Sequence, residues 1–208
     1  MTSWQEYLRF IVTLTAVLDP FLAVPIYISV TAGQRPRERL RLVNVVTLTV
    51  LAILAGSAVF GERLLVILGT SLPAFQVGGG LVLLLMALSM LNAQVGQMRQ
   101  TRAEAEELES RQSGVVPLAV PLLAGPGAIS TTIIAAQQGG LAHSAVLVGC
   151  IVLVCVVLWV MLRLAHSIAP RMGTTGLNVA TRLLGLLLAA IAIQTMAEGL
   201  KVLFPGLT

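Results

Sequence analysis

The sequence is poor in charge: Asp, Glu, Lys and Arg make up 11% of its 208 residues, against about 25% in an average soluble domain. With 57% hydrophobic residues and a mean hydropathy of +0.94, that scarcity excludes a water-soluble domain. Aromatic residues are scarce too, at 4%. This leaves little material for aromatic belts or for base-stacking platforms. There are two cysteines, Cys150 and Cys155. Their spacing is not the Cys-x-x-Cys of a redox site, and both fall in one apolar run, so they read as buried core. No cleavable leader is expected, because Trp4-Gln5-Glu6 supplies no basic n-region and the first apolar run is too long for an h-region. The pI near 9.8 does not indicate nucleic acid, because the basic residues lie between apolar runs, where they report topology.

What the chain does have is long apolar runs. A spanning helix needs about 20 mostly apolar residues. Six segments qualify: 7–31, 42–60, 64–91, 115–136, 144–168 and 177–203. The expectation is an all-α membrane protein with six transmembrane helices in one integral membrane domain. Residues 34–41 read as a compact basic loop, and the polar stretch 94–114 as a solvated cytoplasmic connector. Ser71-Leu72-Pro73 suggests a short turn at the start of the third segment. The loops after helices 1, 3 and 5 carry Arg35, Arg37, Arg39, Arg41, Arg99, Arg102, Arg111 and Arg171. The other side carries Arg9, Arg63 and Lys201. The positive-inside rule then places both termini outside the cytoplasm.

A shift of 106 residues lays Pro20 on Pro126, Gly33 on Gly139, Gly79 on Gly185 and Gln76 on Arg182. One offset serving these landmarks points to two repeats, 1–93 and 115–208, of three helices each. An odd helix number inverts the second copy, and inverted repeats with interrupted helices mark secondary transporters.

The interruptions are visible. Gly125-Pro126-Gly127 stops one helix and starts another, since proline is favoured at the first helical position and glycine frees the backbone. Asp19-Pro20 does the same in the first segment, with Asp as the N-cap. Helices 1 and 4 are therefore expected to break near mid-membrane. A broken backbone at that depth has to be buried in protein or line a cavity. The two half-helix N-termini offer amide hydrogens and about half a positive charge each, which suits a small carboxylate. Packing kinks are the bland alternative for either proline taken alone.

Charges within spans need a reason, costing from ~3 kcal/mol upward near the bilayer centre. Asp19 is the deepest. It could meet an ammonium, carry a coupling proton, or simply cap a helix. Arg182 could bind a carboxylate, pair with Asp19, or snorkel. Gln76 is its neutral repeat counterpart. Ser130, Thr131 and Thr132 could contact substrate or bond back to their own helix. Glu198, four residues from Gln194, reads as interfacial, so Glu198→Gln is expected to change transport little. His143 reads as an outer-loop residue, and neither it nor His166 has metal-ligand spacing. The glycines at 78–80 and Gly185 suit close helix packing.

Together Asp19-Pro20 with Pro25, Phe75-Gln-Val-Gly-Gly79, Ala119-Val-Pro-Leu-Leu-Ala-Gly-Pro-Gly-Ala-Ile129 and Arg182-Leu-Leu-Gly185 resemble the MarC family, also called SnatA-like, across essentially the whole chain. The family pattern has Gly and Asn where this chain has Leu22 and Ala23, and Arg where it has Gln76. The resemblance implies a bacterial inner-membrane transporter of small neutral amino acids such as glycine or alanine, driven by protons, with no cofactor or metal. The expected substrate-binding residues are Asp19, Pro20, Phe21, Leu22, Gln76, Gly125, Pro126, Gly127, Ala128, Ile129, Ser130 and Arg182. An ion or metal exporter and a non-transport membrane scaffold stay open as alternatives. A hydrolase has least support, for lack of a nucleophile–base pair or a metal triad.

Overall fold

The structure, a computed structural model, describes residues 4–31, 33–67, 69–92, 123–137 and 141–207. The described residues are helical, with no strand among them. The helices are α1 (Trp4–Leu18), α2 (Pro20–Val30), α3 (Pro36–Ile67), α4 (Leu72–Asn92), α5 (Pro126–Ala136), α6 (Leu141–Arg163) and α7 (Ala165–Leu203), followed by a 3-10 turn at Pro205–Leu207. Among the described residues, five spans are long and apolar enough to cross a membrane, and α5 is a shorter apolar helix. The expected connector at 94–114 and the first half of the fourth segment lie outside the described residues.

The first span, Trp4–Val30, is broken at its middle and lies at the centre of the bundle. Some 61% of its most apolar stretch is buried, against 28–39% in the other four spans. Asp19 causes the break. It takes up a left-handed conformation (φ 40°, ψ 73°), which an aspartate tolerates better than most residues. Its carboxylate accepts a hydrogen bond from the Leu22 amide, and Pro20 opens α2.

The second span differs from expectation at both ends. Residues 36–41 are not loop but the first turns of α3, where Pro36 stands at the helix start and Glu38 accepts from the Arg35 amide. This is the signature of a capped N-terminus. At the other end α3 runs on to Ile67, so residues 64–67 belong to it rather than to the third span. Its 32 residues extend about 48 Å at 1.5 Å each, well beyond a hydrocarbon core of about 30 Å. Gly69, at φ 64°, turns the chain, and the Ser71 hydroxyl accepts from the Ala74 amide as α4 begins.

α7 is continuous from Ala165 except at Gly173, whose φ of 64° and ψ of 175° interrupt the ladder. The fifth and sixth expected spans are thus joined through a short helical segment rather than an open loop.

The most extensive packing is between α4 and α7. They run antiparallel: Gly199 lies against Pro73, Gly80 against Ala192 and Met196, and Gly185 against Ala87 and Met90. Buried Leu177, Thr181, Gly185, Leu188, Ala192, Thr195 and Gly199 make one stripe along α7. Small residues on such a stripe let the backbones approach closely. α3 packs on α6 and α5, and α1 packs on α5, α6 and α7. Leu14, Leu18, Leu54, Leu83, Ile151 and Leu188 fill the centre. Both cysteines are buried in α6.

The start of α1, the α3–α4 turn, the start of α6 and the end of α7 share one end of the bundle, here termed the terminal face. Tyr7–His143, Arg9–Glu198 and Gly199–Pro73 contacts tie it together. The Arg39–His166 contact lies at the opposite face.

Candidate functional site

Among the described residues, two polar features of this apolar bundle lie at different depths. The deeper is the break at Asp19, near the middle of the first span. Asp19 is 1% exposed. Its Oδ1 accepts from the Leu22 amide at 3.2 Å and from the Thr181 hydroxyl of α7 at 3.4 Å. Pro20 and Leu22 are buried, and Phe21 packs half-buried on the core. The carboxylate therefore already occupies one of the α2 amides expected to face a substrate, and the Ala23 amide bonds to the Asp19 carbonyl.

At the other expected break, Gly125 is extended (φ −70°, ψ 177°) and Pro126 opens α5. The Ala128 and Ile129 amides both bond to the Gly125 carbonyl. Gly127 and Ala128 are buried, Ile129 is half-buried, and Pro126 is exposed. Gly127 sits against Leu83 and Met86 of α4, and Ser130 against Gly79. The Ser130, Thr131 and Thr132 hydroxyls donate to the carbonyls of Pro126, Gly127 and Ala128 at 2.7–2.8 Å. All three hydroxyl protons thus go to their own helix.

Gln76 and Asp19 are not brought together. Gln76 is half-buried against Gly199. Asp19 touches Thr181, 18 residues along the same helix, or about 27 Å at 1.5 Å per residue. Arg182 is exposed on α7, and its neighbour Thr181 is the side chain that hydrogen-bonds Asp19.

The second feature is a cavity of about 100 Å³ opening on the terminal face between α1, α4, α5 and α7. Its polar lining is Glu6, Arg9, Thr13, Thr131, Thr195 and Glu198, and its apolar lining includes Phe10, Leu83, Ile134 and Ile191. Arg9 and Glu198 form an ion pair of 3.6 Å at its rim, each side chain a little over 40% exposed. Glu198 thus lines the cavity where it opens at the end of the bundle. Beside it, His143 is the third residue of α6 and buried, not in a loop. Its Nδ1 meets the Tyr7 hydroxyl at 2.8 Å and its Nε2 the Ala135 carbonyl at 2.9 Å. One imidazole thereby fastens α1, α5 and α6 around the cavity.

Thr13, Thr181 and Thr195 escaped the sequence reading. The signal for the last two was there: with Leu177, Gly185, Leu188, Ala192 and Gly199 they recur every three or four residues, the period of a buried helix face. Among the described residues, no group of three or more His, Cys, Asp or Glu side chains could hold a metal ion.

The family model for MarC family integral membrane proteins matches residues 4–204. The chain belongs to the MarC family. Its MarC relatives are similar over nearly their whole lengths. It is 37% identical to the UPF0056 membrane protein YhcE of Escherichia coli K12, covering 99% of this chain and 96% of that one. It is 35% identical to a UPF0056 membrane protein of Buchnera aphidicola from Acyrthosiphon pisum, covering 97% and 94%. A UPF0056 membrane protein of Methanocaldococcus jannaschii is 33% identical, covering 95% and 97%. No solved structure matches the chain significantly. This MarC protein is accordingly an integral, multi-pass membrane protein.

Proposed function

We propose that this MarC protein is a secondary transporter of small neutral amino acids of the glycine and alanine type, coupled to protons. The observation that carries the reading is Asp19: a carboxylate 1% exposed, at a helix break in the middle of the most buried span. An ionisable group is costly at that depth and is retained where it serves a substrate or a proton. Asp19 accepts a proton or the substrate ammonium, and the Thr181 hydroxyl sets its orientation from across the bundle.

The repeat symmetry supports the same reading. Pro20 and Pro126, 106 residues apart, each open a half-helix of 11 residues. In this reading 1–93 and 115–208 are inverted three-helix repeats, and both termini are extracytoplasmic in an inner membrane. Rocking of one repeat on the other alternates access to the broken helices. The substrate carboxylate sits towards the half-helix N-termini around Phe21 and Gly127, with Arg182 tuning the field from the bundle surface. No covalent step is involved.

The test is uptake of labelled glycine and alanine into proteoliposomes, with and without an imposed proton gradient. Saturable uptake that rises with the gradient is the expected result. Absence of flux for either amino acid, in both directions, would overturn the reading and favour a scaffold or an ion exporter.

A further inference from the structure

The terminal-face cavity has a one-sided hydrogen-bonding character. Thr13 donates its proton to the Arg9 carbonyl at 2.7 Å, Thr131 to the Gly127 carbonyl at 2.8 Å, and Thr195 to the Ile191 carbonyl at 2.9 Å. With those protons committed to the helices, each hydroxyl presents only lone pairs to the cavity. The Glu6 and Glu198 carboxylates are acceptors as well. Among the described lining side chains only Arg9 donates. The wall is therefore a set of acceptors under a single guanidinium.

A ligand that fits this wall carries N–H donors on a cation and, next to them, a carboxylate. The volume of about 100 Å³ lies well below the roughly 300–1,000 Å³ of drug-sized pockets. That restricts the ligand to a few heavy atoms. The Arg9–Glu198 pair closes the rim, and such a ligand substitutes for both of its halves at once. Its carboxylate takes the Arg9 fork, and its ammonium takes Glu198 and the threonine oxygens. The exchange brings no net charge into an apolar bundle, which an isolated cation or anion would do.

We propose that this cavity is an access site for a small zwitterion with a primary ammonium, opened by exchange against the Arg9–Glu198 ion pair. The choice of an amino acid as ligand rests on the transport reading. The place and the demand for N–H donors rest on the cavity alone.

The experiment is equilibrium binding of labelled glycine to the full chain in lipid nanodiscs, with N,N,N-trimethylglycine as competitor. Trimethylglycine keeps both charges but has no N–H. It should compete at least about tenfold more weakly than unlabelled glycine or alanine. Arg9→Gln and Glu198→Gln should each weaken glycine binding by about tenfold or more while the melting temperature holds, and Arg9→Lys should recover part of the loss. Equal competition by trimethylglycine, unchanged affinity in Arg9→Gln, or no saturable binding by the unaltered chain would each overturn the proposal. Flux separates it from the transport reading. Uptake with an unaltered KM in Arg9→Gln removes the access site and keeps transport. Arg9-dependent binding without any flux keeps the site and removes transport.

Discussion

The α4–α7 seam gives a prediction with a sign that depends on one atom. A Cβ built on Gly199 lies 2.6 Å from the Pro73 carbonyl oxygen and 3.0 Å from both Gln76 Cβ and Val77 Cγ2. The nearest atom is backbone and cannot swing away. It falls about 0.8 Å short of ordinary contact at 3.4 Å. Gly199→Ala must therefore push α7 off α4 along part of the seam. Overpacking of this kind costs about 1–3 kcal/mol, partly offset by up to about 1 kcal/mol from the better helix propensity of alanine. Gly78 lies on the exposed side of α4 with nothing within 4 Å of its added Cβ, so Gly78→Ala should keep only the propensity gain. A thermal unfolding series in detergent or nanodiscs reads the contrast directly. At about 2–4 °C per kcal/mol for a chain of this size, Gly199→Ala should melt several degrees below the unaltered protein and Gly78→Ala at or above it. Equal melting temperatures for the two variants would refute the account of the seam.

Asp19→Asn preserves the left-handed backbone and the acceptor for the Leu22 amide, so its fold should hold while gradient-driven uptake falls at least about tenfold. Normal coupled flux in that variant would remove Asp19 from the mechanism. Asp19→Ala also loses the cap and a residue tolerant of positive φ, and should unfold about 1–3 kcal/mol more easily than Asp19→Asn by denaturant titration. His143→Ala breaks the bonds to Tyr7 and Ala135 together, which should cost about 1–3 kcal/mol in the same titration and speed amide exchange at the end of α5. At the opposite face the Arg39 guanidinium donates to His166 Nε2 at 2.8 Å. His166→Phe removes that acceptor, so amide exchange in 165–172 should be faster in the variant than in the unaltered protein, and equal exchange would refute the tie.

The break at Asp19 and the helix start at Pro126 were legible because each is written locally: a capping residue or glycine, then proline at a first helical position. The start of α3 was equally local, with Pro36 and Glu38 in the capping positions. The density of arginine around them outweighed that signal and made a helix look like a loop. The long reach of α3 was hidden for a related reason, since Arg63 ends an apolar count without ending a helix. The terminal-face cavity could not be read at all. It depends on which sides of α1, α4, α5 and α7 meet, and no single segment encodes that. Arg9 and Glu198 were visible as charges near the ends of their spans, but their pairing across 189 positions is a property of the assembled bundle.

Gly173 has a mechanical consequence. On one side of it, the segment from Ala165 carries His166 and the contact to Arg39; on the other, Thr181 reaches Asp19. An unbroken helix would couple these two contacts as a rigid lever, so that twisting one end would twist the other. With its backbone at φ 64° and no atom within 4 Å of an added Cβ, Gly173 acts as a swivel between them. Without an unbroken hydrogen-bond ladder between them, a twist at the opposite face is not passed rigidly to the buried carboxylate.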